Sequence, residues 1–118
     1  MKVLIVDDSL VVRERLENVL SEVPDVEAIS KAKNKSEAIS LLHKLNPEVM
    51  IIDIQMPGGS GIDLLKKTKK ERNPPLVVVL TNLSDSQYRK KCIAAGADFF
   101  FDKSTEFEKV TGVLKNLS

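Results

Sequence analysis

Short apolar runs recur along this chain of 118 residues, and they limit its fold more than any other feature. The runs contain no alternating polar residue and are rich in β-branched or aromatic side chains, which is typical of strands buried on both faces of a parallel sheet. The four strong runs are Val3–Val6, Val49–Ile52, Leu76–Leu80 and Phe99–Phe101. A weaker run near 26–32 predicts a fifth strand at an edge of the sheet.

Helical patterns fill the intervals between these runs. The clearest pattern has apolar residues at i, i+4, i+7, i+8 and i+11, namely Val12, Leu16, Val19, Leu20 and Val23. Further patterns predict helices near 38–45, 62–70, 87–95 and 107–117. We therefore expect an α/β fold of the (βα)5 type, in which a doubly wound, five-stranded parallel sheet is covered by helices on both faces.

Several helix starts are predicted from capping residues. Asn34 and Ser60 are predicted N-caps, because short polar side chains accept hydrogen bonds from the free amides of the first turn. Ser84 and Thr105 each precede a Gln or Glu by three residues, which is the pattern of a capping box.

Composition excludes several classes of protein. Charged residues make up 30% and hydrophobic residues 42%, which favours a packed domain over a disordered chain. The 18 basic and 17 acidic residues nearly cancel, so we expect no direct binding of nucleic acid. Cys92 is the single cysteine, which excludes an internal disulfide and a cysteine-based zinc site.

The chain length corresponds to one ordinary domain. The sequence has no low-complexity linker and no internal repeat, so we expect residues 1–118 to form one module without an effector domain. Two aspartates follow the first four apolar residues, so the start of the chain resembles neither a secretion signal nor a membrane span. We therefore expect a cytoplasmic protein without a membrane partner.

Polar residues follow the predicted strands at the points where the strands end. These residues are Asp7 and Asp8 after the first strand, Asp53 after the third, Thr81 after the fourth, and Asp102 and Lys103 after the fifth. Ligands of open parallel α/β sheets bind beyond the carboxyl ends of the strands. We therefore expect these side chains to converge on one site.

Three carboxylates in one site need a counter-charge, since each pair at about 4 Å costs roughly 4 kcal/mol at an effective dielectric constant near 20. Asp7, Asp8 and Asp53 carry three negative charges, and Lys103 supplies one positive charge. One divalent cation would bring the cluster close to neutrality. Carboxylate donors without a clustered histidine or cysteine favour a hard ion, and Mg²⁺ with retained waters suits such a site. Mg²⁺ beside a carboxylate and a lysine is suited to phosphoryl transfer.

Over nearly its whole length the chain resembles the receiver domains of two-component response regulators. The motifs that carry the resemblance are Val6-Asp7-Asp8-Ser9, Asp53-Ile54-Gln55-Met56-Pro57 with Gly61 following, Leu80-Thr81, and Gly96 through Lys103. The resemblance implies the flavodoxin-like strand order 2-1-3-4-5. It also implies a stand-alone receiver similar to the chemotaxis regulators, which catalyses only its own phosphorylation and dephosphorylation.

The resemblance implies that Asp53 is the phosphoacceptor and takes its phosphoryl group from a histidine kinase or phosphotransfer protein. Lys103 and Thr81 would contact the phosphoryl oxygens. Phe100 occupies the position of the switch aromatic, and movement of Thr81 would let Phe100 turn inward. The implied output is a contact with a downstream target protein through the face of the fourth helix, fifth strand and fifth helix. The implied oligomeric state is a monomer or a phosphorylation-dependent dimer.

The resemblance also implies the ligands of Mg²⁺. Asp8 would bind the ion directly, Asp7 largely through water, Asp53 through its carboxylate, and Gln55 through its backbone carbonyl.

Two positions depart from the family pattern. Ser104 follows the lysine where the family usually has proline, often after a cis bond. A cis bond before a residue other than proline costs about 2.5–4 kcal/mol, so we expect the Lys103–Ser104 bond to be trans. Asn82 stands where the family prefers a small residue beside the phosphoryl site.

Other functions remain as alternatives. The chain could be a receiver-like scaffold that binds partners without phosphorylation, or a receiver fragment of a larger regulator. A flavodoxin would need a Ser/Thr-rich phosphate loop after the first strand, where this chain has Asp7-Asp8. A Mg²⁺ phosphohydrolase would need a second acid two residues after the nucleophile, where this chain has Gln55.

Overall fold

A computed structural model describes residues 1–56 and 59–117, with the backbone alone at 59 and 60. The strands in chain order are β1 (Lys2–Val6), β2 (Ala28–Ala32), β3 (Val49–Ile52), β4 (Gln55–Met56), β5 (Gly59–Ser60), β6 (Leu76–Thr81) and β7 (Phe99–Asp102). The helices are α1 (Leu10–Leu20), α2 (Lys35–Leu45), α3 (Gly61–Lys69), α4 (Ser86–Ala94) and α5 (Lys109–Asn116).

Five of the strands form one parallel sheet in the order β2-β1-β3-β6-β7. Since β6 and β7 are the fourth and fifth strands of this sheet, the order 2-1-3-4-5 is confirmed. The weak run of the sequence forms β2 at one edge, where Ala28 and Lys31 are exposed. Three of the four uninterrupted apolar runs form the inner strands β1, β3 and β6, which have both faces covered. The fourth run forms β7 at the other edge of the sheet, where Phe99 is 37% exposed, so the prediction that this strand is buried on both faces is wrong.

The core lies in two layers, one on each face of the sheet. Along β1, Val3 and Ile5 point into one layer, and Leu4 and Val6 point into the other. Helices α1 and α5 cover the first layer, and α2, α3 and α4 cover the second. Each fully buried leucine or isoleucine contributes about 1.5–3 kcal/mol through the removal of apolar surface from water. The predicted doubly wound α/β architecture is confirmed.

The predicted N-cap of α2 is confirmed, because the Asn34 side chain accepts a hydrogen bond from the Glu37 amide at 2.8 Å. Helix α1 begins after Ser9, whose hydroxyl accepts a hydrogen bond from the Val12 amide. The prediction for Ser60 concerns a side chain outside the described residues.

The predicted capping boxes of α4 and α5 are wrong. Helix α4 begins after Asp85 and α5 after Glu108, and neither of these residues makes a side-chain cap hydrogen bond. The Ser84 hydroxyl instead donates to the Asp102 carboxylate, and the Thr105 amide donates to the same carboxylate. At Ser84 an acceptor distant in the chain has therefore displaced the local capping interaction, whereas the Thr105 amide is taken by a local acceptor three residues earlier.

A short ribbon lies between β3 and α3, where strands β4 and β5 pair antiparallel. The sequence patterns did not predict it. Among the described residues no peptide bond is cis, so the expectation of a trans Lys103–Ser104 bond is confirmed. Within the described ranges no helix is both long and apolar enough to cross a membrane.

Candidate functional site

A cleft of about 730 Å³ opens beyond the carboxyl ends of the parallel strands. Its polar lining consists of Asp7, Asp8, Ser9, Asp53, Gln55, Asn82 and Lys103. The apolar lining consists of Val12, Ile54, Met56 and Leu83. The structure therefore brings together most of the residues that the sequence placed at strand ends.

Asp7 follows β1 and is held rigidly at the floor of the cleft. Its amide donates to the Ala32 carbonyl at 3.1 Å, which extends the sheet pairing by one residue. One carboxylate oxygen, Oδ1, accepts a hydrogen bond from the Ser9 amide at 2.9 Å, and the Arg13 guanidinium donates to the Asp7 carbonyl at 2.7 Å. Asp7 is only 2% exposed. Its second carboxylate oxygen, Oδ2, is turned toward Lys103.

Asp53 occupies the equivalent position after β3, the central strand of the sheet. Its amide donates to the Val6 carbonyl at 3.0 Å, and its Oδ1 accepts a hydrogen bond from the Gln55 amide at 2.9 Å. Asp53 is 5% exposed and lines the cleft. The loop after β3 therefore fixes the carboxylate from its own backbone and leaves Oδ2 directed at a neighbour.

Lys103 joins the two buried aspartates. Its Nζ lies 2.7 Å from Asp7 Oδ2 and 2.7 Å from Asp53 Oδ2, although Asp7 and Lys103 are 96 residues apart in the chain. Its amide donates to the Thr81 carbonyl at 2.9 Å, which ties Lys103 to the end of β6. The ammonium group therefore bridges the ends of β1 and β3 from a loop that follows β7.

Burial and charge act in opposite directions at this bridge. Burial raises the pKa of Asp7 above its ordinary value of 3.8, despite the opposing effects of the Lys103 and Ser9 hydrogen bonds. Burial alone would lower the pKa of Lys103, but the hydrogen bonds to Asp53 and Asp7 outweigh it and raise this pKa above 10.5. Lys103 is therefore held as a cation at neutral pH, beside a carboxylate that lacks most of its hydration.

The acidic side chains also fit a hard divalent cation. Asp7, Asp8 and Asp53 each offer a carboxylate oxygen, and these oxygens lie within 4.8 Å of one another. Asp7 and Asp53 are buried and Asp8 is exposed, so the group is open to solvent on the side of Asp8. All three donors are oxygens, and Lys103 leaves two negative charges uncompensated, which matches Mg²⁺ with retained waters.

Thr81 and Phe100, the predicted switch pair, lie inside the protein. Thr81 is fully buried, and its hydroxyl oxygen accepts a hydrogen bond from the Leu83 amide at 3.1 Å. Thr81 does not line the cleft, whereas Asn82 and Leu83 do. Phe100 is 4% exposed and already packs in the core layer of α4, so its inward position needs no further movement here.

Two structural features of the site were missed at the level of sequence. A Cβ atom added to Gly61 would lie 2.4 Å from the Ile54 Cα and 2.7 Å from the Asp53 carbonyl oxygen, so any other residue at the start of α3 would force the backbone to shift. Gly61 belongs to the family motif, so the sequence did mark this position. The motif alone gave no structural reason for a glycine there. Asp102 was noted at a strand end without a role, and its carboxylate accepts hydrogen bonds from two loops, from Ser84 after β6 and from Ser104 after β7.

The family model described as the response regulator receiver domain matches residues 3–115. Curated relatives include protein-glutamate methylesterase/protein-glutamine glutaminase 1 of Methanospirillum hungatei, 33% identical over 105 residues, covering 87% of this chain and 31% of that protein. The transcriptional regulatory protein LiaR of Bacillus subtilis is 31% identical over 118 residues, covering 100% of this chain and 56% of that protein. The chain thus spans less than two thirds of either relative.

Solved structures agree with these matches. The signal receiver domain of a DNA-binding response regulator from Colwellia psychrerythraea superposes with a TM-score of 0.90 at 25% identity, covering 99% of this chain and 97% of that one. The response regulator domain of CheB from Thermotoga maritima gives a TM-score of 0.85 at 30% identity, covering 99% of this chain and 92% of that one. Fold, acidic cluster and sequence match agree, and the chain belongs to the family of response regulator receiver domains.

Proposed function

We propose that this chain accepts a phosphoryl group on Asp53 from the phosphohistidine of a histidine kinase or phosphotransfer protein, with Mg²⁺ bound beside it. The supporting observation is the Lys103 ammonium group, which lies 2.7 Å from both Asp53 and Asp7 in an open cleft. A paired lysine and a cluster of three acids supply both the nucleophile and the positive charge that phosphoryl transfer needs.

The position of Asp53 favours it over its acidic neighbours as the acceptor. Asp53 follows the central strand, so the loop after β1 lies on one side of it and the loop after β6 on the other. The first loop brings the acids Asp7 and Asp8, and the second brings Asn82 and Leu83 to the rim of the cleft. An incoming phosphoryl group at Asp53 would therefore meet metal ligands on one side and the loop of Thr81 on the other.

The transfer step is an in-line displacement at phosphorus. A carboxylate oxygen of Asp53 forms the new O–P bond while the P–N bond of the partner's phosphohistidine breaks, and the electron pair of that bond returns to the imidazole nitrogen. The Lys103 ammonium group neutralises negative charge on the phosphoryl oxygens and is already in place, so little reorganisation is needed. Water reverses the modification by attacking the same phosphorus: its oxygen forms a new O–P bond, the O–P bond to Asp53 breaks, and the carboxylate and inorganic phosphate are released.

The metal ligands that we propose are Asp8, Asp7, Asp53 and the backbone carbonyl of Gln55. When bound, Mg²⁺ supplies neutralisation of the charge on the transferring phosphoryl group. In this proposal the chain catalyses only its own phosphorylation and dephosphorylation.

The proposed output is a protein contact through the face of α4, β7 and α5. Ile93 on α4 is 46% exposed and Phe99 on β7 is 37% exposed, so this face offers apolar area for a partner. Thr81 and Phe100 are the proposed link between Asp53 and the face. We propose a stand-alone monomer, or a dimer that forms on phosphorylation, with a separate target protein.

A second candidate is favoured by the comparisons. The methylesterase and the transcriptional regulator are both much longer than the matched region. The alternative proposal is therefore that residues 1–118 act as the receiver module of a larger regulator, with the same face contacting an effector domain.

Mass spectrometry of the intact protein tests the phosphoacceptor. After incubation with acetyl phosphate and Mg²⁺, the wild type should gain one phosphoryl group, and Asp53→Asn should gain none. Asp63→Asn is the matched control, because Asp63 is an exposed aspartate of α3 outside the cleft, and it should label like the wild type. An undiminished adduct in Asp53→Asn, or equal labelling in excess chelator, would contradict the proposal.

A further inference from the structure

We propose that Asp102 is a positioning residue that holds Lys103 in place for its contacts with Asp7 and Asp53. The inference rests on the proposed function, because it assigns Asp102 to the phosphoryl-transfer reaction through Lys103. Asp102 itself does not line the cleft, so it acts through the backbone on either side of the lysine and not on the reacting atoms.

The Asp102 carboxylate holds the chain that follows Lys103. Its Oδ1 accepts hydrogen bonds from the Ser104 amide at 2.7 Å and from the Thr105 amide at 3.3 Å. An aspartate that captures the amides two and three residues ahead closes a tight turn. Lys103 is the residue inside this turn, so its backbone direction is set by the carboxylate beside it.

The backbone of Asp102 is held at the same time. Its amide donates to Glu106 Oε1 at 3.0 Å, and its carbonyl accepts a hydrogen bond from the Glu106 amide at 2.8 Å. Lys109 Nζ lies 2.7 Å from Glu106 Oε2, which steadies the glutamate. The amide, the carbonyl and both carboxylate oxygens of Asp102 are therefore all engaged.

The second carboxylate oxygen reaches a different loop. Asp102 Oδ2 accepts a hydrogen bond from the Ser84 hydroxyl at 2.7 Å, and Ser84 lies between β6 and α4. A weaker parallel contact joins the Ser104 hydroxyl to Asn82 Oδ1 at 3.2 Å. These bonds connect the loop of Lys103 with the loop that carries Leu83, the amide partner of Thr81.

These contacts matter because Lys103 has a long and flexible side chain. Its ammonium group must reach two carboxylates at once, and lysine has no fixed fork that would guide it there. The pKa of Asp102 is held below its ordinary value, most strongly by the hydrogen bond from Ser84 and next by the hydrogen bond from the Ser104 amide. The carboxylate therefore stays charged and acts only as an acceptor. The rigid backbone around Lys103 therefore limits the positions that its Nζ can occupy.

A role in stability alone is the competing explanation, and Asp98 provides a matched control. Asp98 lies just before β7, at the opposite end of the same strand, and its carboxylate also accepts a backbone and a side-chain hydrogen bond, from Val77 and Lys69. Asp98→Ala should therefore disturb the fold to a similar degree but leave the loop of Lys103 intact.

The first experiment needs no phosphorylation. In ¹⁵N NMR spectra of lysine ammonium groups, the wild type without metal should give a slowly exchanging Lys103 signal, which is assigned by its absence in Lys103→Ala. Asp102→Asn keeps an acceptor for the turn and should keep the signal, as should Asp98→Ala. Asp102→Ala should lose or broaden it. An unchanged Lys103 signal in Asp102→Ala would overturn the proposal.

The second experiment measures the rate of labelling by acetyl phosphate in Mg²⁺. Asp102→Ala should be slower by about ten- to a hundred-fold, as expected for a small misplacement of a catalytic group, with Asp102→Asn and Asp98→Ala close to the wild type. In the Lys103→Ala background, Asp102→Ala should add no further loss, because both changes remove the same contact. Additive losses would show that Asp102 acts independently of Lys103 and would overturn the proposal.

The two experiments separate the failure of this inference from failure of the proposed function. If the wild type does not label, the proposed function fails and the ammonium signal still decides the role of Asp102. If the wild type labels and Asp102→Ala labels equally fast, the proposed function stands and the inference fails. Ser84→Ala provides a milder variant should Asp102→Ala unfold, and it should lower the labelling rate by a smaller factor.

Discussion

At the scale of single residues, Lys103 determines the charge balance of the site. It is placed between Asp7 and Asp53, each of which is nearly inaccessible to solvent. Removing one partner of a buried ion pair costs more than the pair contributes, because the remaining charge is left without hydration. The cluster still has two uncompensated negative charges when Lys103 is counted, so the folded protein without metal should carry electrostatic repulsion that the unfolded chain does not.

This repulsion predicts that Mg²⁺ stabilises the folded protein. At a concentration ten times the dissociation constant, one bound ion adds about 1.4 kcal/mol to the free energy of unfolding, which raises the melting temperature by a few degrees. Asp8→Ala should remove most of this increase, because Asp8 is the exposed member of the acidic cluster. Thermal melts with and without millimolar Mg²⁺ measure the effect.

Asp63→Ala is the control for these melts, since it removes an exposed aspartate outside the cluster. It should respond to Mg²⁺ as the wild type does. Equal Mg²⁺ responses in the wild type and Asp8→Ala would exclude Asp8 from the metal site.

The residue identities at the site were predictable, but the contact between them was not. Asp7, Asp53 and Lys103 were found because each follows an apolar run, and parallel strands end at one edge of a sheet. The bridge itself depends on how far a lysine side chain reaches across β6, from the end of β7 to Asp53 and Asp7. No local sequence pattern encodes that reach.

At the scale of secondary-structure elements, two glycines at helices should respond oppositely to alanine. Gly61 begins α3 against the backbone of Ile54 and Asp53, where a Cβ would approach within 2.4 Å. Gly112 lies in α5, and a Cβ there would meet nothing within 4 Å. Gly112→Ala should add roughly 0.5–1 kcal/mol of stability through helix propensity. Gly61→Ala should instead destabilise the protein by about 1–3 kcal/mol, as overpacking typically does.

Urea unfolding of the two variants and the wild type measures these changes. Gly61→Ala should also slow phosphoryl labelling, because the Asp53 carbonyl oxygen is among the atoms that must move. A Gly61→Ala protein as stable as the wild type would show that α3 can shift away from the loop after β3 at little cost.

Element boundaries were predicted best where local signals had no tertiary competitor. Asn34 caps α2 as its sequence position indicates, and its side chain accepts the hydrogen bond of the Glu37 amide. Ser84 and Thr105 had equally good local patterns, yet the Ser84 hydroxyl donates to Asp102 from a distant part of the chain, and the Thr105 amide donates to Asp102 within its own loop. The β4–β5 ribbon escaped prediction because strands of two residues show no measurable alternation.

At the scale of the whole molecule, two routes connect the cleft to α4. The Leu83 amide joins the Thr81 hydroxyl to the loop before α4, and Ser84 joins the same loop to Asp102. On α4 itself, the Arg89 guanidinium lies 5.7 Å from the centre of the Phe100 ring and donates to the Phe100 carbonyl. Lys103 connects Asp53 to these routes, because its Nζ lies 2.7 Å from Asp53 and its amide donates to the Thr81 carbonyl. We propose that a change at Asp53 reaches the output face along these contacts.

Binding of beryllofluoride, a phosphoryl analogue, should consequently shift amide NMR signals beyond the cleft. With Mg²⁺ present, we expect changes at residues 84–100 as well as in the loops of Asp7, Asp53 and Lys103, since a ligand that favours one of two conformations shifts the whole coupled region. Asp53→Asn should show none of these shifts.

Shifts confined to the three loops, with residues 86–100 silent, would contradict the proposed switch. Because Phe100 is already buried, the expected change in α4 comes from its first turn and its Arg89 contact, and not from an inward rotation of the ring.

The overall topology was predictable because four strong apolar runs and one weaker run, alternating with helical patterns, leave few arrangements that cover both faces of a sheet. The strand order came from the resemblance to receiver domains and is confirmed by the pairing of the strands. The inward position of Phe100 was not predictable in the same way. Strand alternation places its side chain on one face, but only the space left by α4 decides whether the ring is buried.

Chemical mapping of the modified residue tests the central claim most directly. Borohydride reduces an aspartyl phosphate to homoserine, so labelling with acetyl phosphate in Mg²⁺, reduction and peptide mass spectrometry identify which carboxylate accepted the phosphoryl group. The account predicts homoserine at position 53 and none at the neighbouring acids Asp7 and Asp8. Homoserine at either of those positions, or at no position in a protein that binds Mg²⁺, would contradict it.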